Sequence, residues 1–103
     1  MRIAKATLRR IASLVDPFGC SIDATFPDRI YIDRGPFPVA ALLHFGEGLW
    51  IPATWNDKKA RWEALRENGT ISPSFYVWRL AHDPGVKTFR GPTRALRAIL
   101  PLS

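Results

Sequence analysis

The sequence predicts an α+β fold in which an antiparallel β-sheet, built from hairpins, is flanked by N-terminal, middle and C-terminal α-helices. Three observations carry that expectation. Both ends of the chain space their apolar residues as a helix does, and the runs between them alternate with a period of two. The turns joining those runs are too short to hold the crossover helices of a parallel sheet. A length of 103 residues suits one globular domain, 1–103, and 47% hydrophobic residues supply the material for its core.

Residues 1–15 read as an amphipathic helix. At 100° per residue, Ile3, Ala4, Leu8, Ile11, Ala12, Leu14 and Val15 fall on one side and Arg2, Lys5 and Arg9 on the other. Pro17 and Gly19 stop it. Cys20, Ile22, Ala24 and Phe26 then alternate with Ser21, Asp23 and Thr25, the pattern of a half-buried strand. Pro27-Asp28 turns the chain, and residues 29–33 complete a hairpin with Ile30 and Ile32 inward and Tyr31 outward. Pro36 and Pro38 stiffen the loop at 34–38.

Residues 39–45 and 49–51 form a second hairpin across Gly46-Glu47-Gly48, although residues 40–43 fit a short helical turn equally well. Thr54 or Asn56 caps the middle helix, which runs to Asn68 and stops at Gly69. Trp55, Trp62 and Leu65 share its narrow apolar face, and Asp57 with Arg61 and Lys59 with Glu63 form i,i+4 pairs. Residues 74–81 put large side chains on both faces, as a central strand does. Asp83-Pro84-Gly85 reverses the chain, residues 86–89 return it, and Gly91-Pro92 opens the last helix. Ala95, Leu96, Ile99 and Leu100 face inward there, with Arg94 and Arg97 opposite.

Charge is distributed in a way that the fold does not require. The acid-free ends hold eight of the fifteen Lys and Arg residues: Arg2, Lys5, Arg9 and Arg10 in residues 1–15, and Lys87, Arg90, Arg94 and Arg97 in residues 84–103. Between them seven cations face nine acids, so the formal charge of +6 comes entirely from the ends. Arg2 and Lys5 sit in the first helical turn, where the helix dipole repels them, so helix stability does not explain them. A solvated basic face is the simplest account of such cations, but solubility requires net charge, not the exclusion of acids from both ends. Six of the eight are Arg, which grips phosphate or carboxylate with a two-pronged fork.

Motifs that carry chemistry are missing from the sequence. Ile11-Ala12-Ser13-Leu14 with Gly19-Cys20-Ser21 faintly matches the start of a helix-turn-helix, but the strand-like run after it and Pro27 leave no recognition helix. Arg34-Gly35 with Phe37 is a poor match to an RNA-recognition motif, because Pro36 and Pro38 make the segment a loop. The acid-free, Arg-rich start also has the composition of an organellar transit peptide, yet it runs straight on into strand-like sequence. His44 with Glu47, and His82 with Asp83, are the only acid-base pairs that can be written, and both border turns where solvated histidines are common. Cys20 shares the inward register of its strand and reads as a packing thiol, fitting a reducing, cytoplasmic setting. No ligand spacing marks a metal site, no glycine-rich loop marks a nucleotide, and no cofactor or small-molecule substrate is implied. The longest uncharged run, residues 35–46, is too short to span a bilayer.

The sequence therefore points to a non-enzymatic binding protein. It is expected to dock a basic helical face, formed by Arg2, Lys5, Arg9, Arg10, Lys87, Arg90, Arg94 and Arg97, onto an acidic protein or nucleoprotein complex as an inhibitor or adaptor. Trp55 and Trp62 read first as packing residues and second as partner anchors, since a large aromatic beside Lys58, Lys59 and Arg66 is the composition of an interface hot spot. In overall profile, though in no residue pattern, the chain resembles phage-encoded accessory proteins, inhibitors of CRISPR effector complexes among them. The alternative is direct binding of DNA or RNA through phosphate contacts with little sequence preference.

Overall fold

The computed structural model describes residues 3–102, so Arg2 lies outside the described residues. Six strands cross one antiparallel sheet in chain order: β1 (Ser21–Asp23), β2 (Arg29–Arg34), β3 (Phe37–Gly46), β4 (Leu49–Asn56), β5 (Arg61–Leu65) and β6 (Ile71–Ser74). A seventh, β7 (Phe89–Arg90), pairs with the start of β4. Helix α1 (Lys5–Val15) precedes the sheet and α2 (Pro92–Arg97) follows it. The α+β architecture with terminal helices is thus as the sequence predicts.

Both faces of the sheet are buried, and this explains β3. Ala40, Ala41 and Leu42 are fully buried and Leu43 nearly so. Ala40 and Leu42 point to one core, with Ile30, Ile32 and Trp50 of the sheet, Ile11 and Val15 of α1, and Ala95 and Leu96 of α2. Ala41 and Leu43 point to the other, with Ile51, Ala53, Trp62 and Ala64 of the sheet beneath Val77, Leu80 and Val86. A continuous apolar run in a strand covered on both faces has no alternation to distinguish it from a helical turn.

The first hairpin has the expected inward and outward residues but a shorter first strand. Both the backbone N–H and the hydroxyl of Thr25 donate to Asp23 Oδ1, at 3.1 and 2.7 Å, and this Asx turn draws the chain out of the sheet after Asp23. Phe26 is consequently exposed and does not continue the inward row. The segment at 34–38 is a tight hairpin. Phe37 already pairs with Arg34, and the register slips between Ile32 and Asp33, opposite Pro38, which has no N–H to give.

The middle helix is absent. Residues 54–68 form the end of β4, a turn at residues 57–60, and β5, with Thr54, Trp55 and Asn56 directly opposite Glu63, Trp62 and Arg61. Residues seven apart lie on one helix face, and across a four-residue turn they also become direct cross-strand partners. The Trp spacing alone therefore favours neither structure. The turn residues decide it: Asn56 Oδ1 accepts the Lys59 N–H at 3.1 Å, and Ala60 adopts a left-handed φ of 52° that no helix interior tolerates. Arg61 pairs with Glu63 at 2.9 Å in place of Asp57. Asn68-Gly69 is the turn into β6, with Thr70 bonded to Asn68 Oδ1.

Residues 74–81 are likewise not a central strand. Ser74 ends β6 by bonding the Tyr76 backbone through both its hydroxyl donor and acceptor, at 2.6 and 3.1 Å. Residues Val77–His82 then make a 3₁₀ turn. Three residues per turn bring Val77 and Leu80 to the same side, where both are buried, and send Trp78 and Arg79 outward.

Candidate functional site

The sequence leaves open whether the two terminal helices share a face. In the structure they pack on the same side of the sheet and touch each other, joined through Ile11, Val15, Ala95 and Leu96 in one core. Burying those apolar stripes fixes the opposite stripes outward. Lys5, Arg9 and Arg10 of α1 are exposed, as are Arg94 and Arg97 of α2 and Arg90 just before it. Lys87 is half-buried, its Nζ 5.7 Å from the centre of the Phe89 ring.

Ion pairing follows the segregation seen in the sequence. The three salt bridges among the described residues, Arg29–Asp28, Arg61–Glu63 and Arg66–Asp83, all join residues of the middle of the chain. Hydrogen bonding to Arg29 holds the Asp28 carboxyl below its usual pKa. Burial works against ionisation of Glu63, yet its bonds to Asn56 and Arg61 keep it low as well. Asp83 is held low by the Ser72 hydroxyl, the Gly85 N–H at 2.9 Å and Arg66 at 2.8 Å. Three of the seven middle cations are thus neutralised by neighbouring acids. Among the described residues Lys5, Arg9, Arg10, Arg90, Arg94 and Arg97 have no carboxylate partner.

The tryptophans of the expected middle helix separate. Trp62 is 7% exposed and belongs to the second core, which is the packing role and leaves nothing to present to a partner. Trp55 is half-buried against it, ring centres 5.5 Å apart and edge to face, with its Nε1 donating to Asp57. Cys20 is buried in the helix-side core, where its thiol bonds the Phe18 carbonyl. Neither histidine engages the carboxylate proposed for it: Asp83 is committed to Ser72, Arg66 and Gly85, and His44 packs its ring 5.2 Å from Trp50 with Nε2 buried and unpartnered. Among the described residues no three His, Cys, Asp or Glu side chains converge as a metal ion requires, and no helix is long and apolar enough to cross a membrane.

A second surface was not visible in the sequence. Phe75 and Tyr76, between β6 and the 3₁₀ turn, are 72% and 53% exposed, and Trp78 within the turn is 46% exposed. Trp78, Phe45, Arg29, Asp28 and both histidines line a half-open cleft of about 480 Å³ at one end of the sheet. The available signal was the i,i+3 spacing of Val77 and Leu80, which marks the two buried residues of a 3₁₀ turn within an otherwise uniformly large run.

No family model, curated protein or solved structure matches the chain. The functional reading consequently rests on these two surfaces and their chemistry.

Proposed function

We propose that the protein is a docking protein that sets the outer faces of α1 and α2 against an acidic surface of a protein or nucleoprotein complex and acts by occupying it, as an inhibitor or adaptor. The observation that carries this reading is the placement of both cationic helices side by side on one sheet face, where among the described residues their cations have no carboxylate partner and the three salt bridges lie elsewhere. Like charges on one face repel one another over a screening length of about 8 Å at physiological ionic strength. An acidic partner removes that repulsion and gains charge-assisted, two-pronged bonds to Arg9, Arg10, Arg90, Arg94 and Arg97. Long-range attraction between the surfaces also speeds their encounter.

The test compares tagged wild-type protein with an Arg9→Glu, Arg94→Glu and Arg97→Glu variant of matched thermal stability, captured from nuclease-treated extracts of the source cells. The expected result is a discrete partner bound by the wild type, released by raised salt and missing from the variant. Equal capture by the variant removes the helical face as the docking site. A partner lost on nuclease treatment, with the protein shifting bare duplex instead, replaces this reading with direct nucleic-acid binding.

A further inference from the structure

The aromatic surface on the other side of the sheet calls for a separate account. Five of the eight large exposed apolar side chains lie around the cleft: Phe26, Phe45, Phe75, Tyr76 and Trp78. They form a chain of contacts. Phe75 meets Tyr76 edge to face at 5.1 Å, Tyr76 stacks on Trp78 at 6.0 Å and 27°, and Trp78 and Phe45 wall the cleft together. Arg29, also in the cleft, lies 5.4 Å from the centre of the Phe26 ring beyond it.

Two features select the occupant. The first is that the exposed apolar residues here are all rings, whereas the exposed aliphatics Leu65 and Ile71 pair with each other on β5 and β6. Successive exposed rings offer flat faces on which unstacked bases stack. The second is charge. Arg79 lies 5.8 Å from the Trp78 ring centre without a carboxylate partner among the described residues, and His82 packs edge-on to the same ring. The one carboxylate among the described lining residues, Asp28, is already bound by Arg29 at 2.9 and 3.0 Å. Exposed rings beside Arg79, with the one acid among the described lining residues already bound by Arg29, complement a polyanion with unstacked bases.

We infer that this strip binds single-stranded nucleic acid, with bases laid on Phe75 and Tyr76 and one received in the cleft beside Trp78, and with Arg79 toward the phosphates. Duplex does not fit, because its bases are stacked on each other and offer no faces to the rings. The inference uses residues separate from the α1–α2 face, so it stands or falls independently of the docking reading above.

Fluorescence anisotropy with labelled oligothymidylate, repeated with unlabelled duplex as competitor, tests it. Tyr76→Ala and Trp78→Ala, whose side chains are half-exposed and whose folding is checked by thermal melts, each weaken binding at least about fivefold (~1 kcal/mol), and Trp78→Phe restores most of it. Arg94→Ala with Arg97→Ala weakens it less, and duplex at equal nucleotide concentration does not displace the oligonucleotide. Three outcomes overturn the inference: no binding by the wild type, binding indifferent to Tyr76 and Trp78, or duplex that competes equally. If oligonucleotide fails to bind while Tyr76→Ala abolishes capture of a protein, the strip is a protein interface.

Discussion

Replacing Ala60 with Gly stabilises the protein, and the sign of that change separates the β4–β5 hairpin from a helix through the same residues. Ala60 is exposed in the turn with φ of 52°. A left-handed conformation costs an L-residue roughly 1–2 kcal/mol, which Gly does not incur. Gly also loosens the unfolded chain, which offsets about 0.4–1 kcal/mol of that gain. No packing is lost, because the methyl group faces solvent. The net is a gain of about 0.5–1 kcal/mol, which raises the Tm of a domain this size by about 2–8 °C. In a helix interior the same substitution lowers stability by about 1 kcal/mol. Urea unfolding, followed by both tryptophan fluorescence and far-UV circular dichroism, measures the difference directly. A loss near 1 kcal/mol refutes the hairpin, and with it the assignment of Trp62 to the core.

Leu42→Ala empties a fully buried site between β3 and the helices and lowers stability by about 2–5 kcal/mol in urea unfolding; a loss under about 1 kcal/mol contradicts the two-sided burial of β3. Arg9→Ala, Arg94→Ala and Arg97→Ala together leave stability within about 0.5 kcal/mol, because these cations are exposed and form no salt bridge among the described residues; a larger loss gives them a structural role. Asp83, held below its ordinary pKa, stabilises the fold above about pH 3.8 and loses that contribution as pH falls through the lower folded value. Asp83→Asn therefore reduces stability at neutral pH and flattens the loss in acid below about pH 4, and a variant as acid-sensitive as the wild type dissociates Asp83 from that loss. Cys20 reacts with a thiol reagent only as fast as the native state opens, and immediate labelling in native buffer contradicts its burial.

Local pattern and tertiary packing contributed different parts of this structure. The sequence by itself determined the terminal helices, because Ile11 and Val15 recur four residues apart before the stop at Pro17 and Gly19, and Gly91-Pro92 starts the helix that buries Ala95 and Leu96. It also placed the turns of the β1–β2 and β3–β4 hairpins, at Pro27-Asp28 and Gly46-Glu47-Gly48, although residues 40–43 fitted a helical turn equally well. The segment at 54–68 was legible only in part. A heptad spacing and a hairpin with a four-residue turn place Trp55 and Trp62 together equally well, and the choice was made by the left-handed Ala60 and the Asn56–Lys59 bond of the turn.

The candidate surfaces divide in the same way. The identity of the cations, and their separation from the acids, belonged to the sequence because charge is composition and order. Only tertiary structure decided that α1 and α2 lie on one sheet face, since the contact between helices some eighty residues apart is fixed by the sheet they both cover. It alone produced the aromatic strip too. Residues 74–81 satisfy a buried strand and an exposed 3₁₀ turn with the same letters, and which rings reach solvent depends on Val77 and Leu80 finding the second core beneath them.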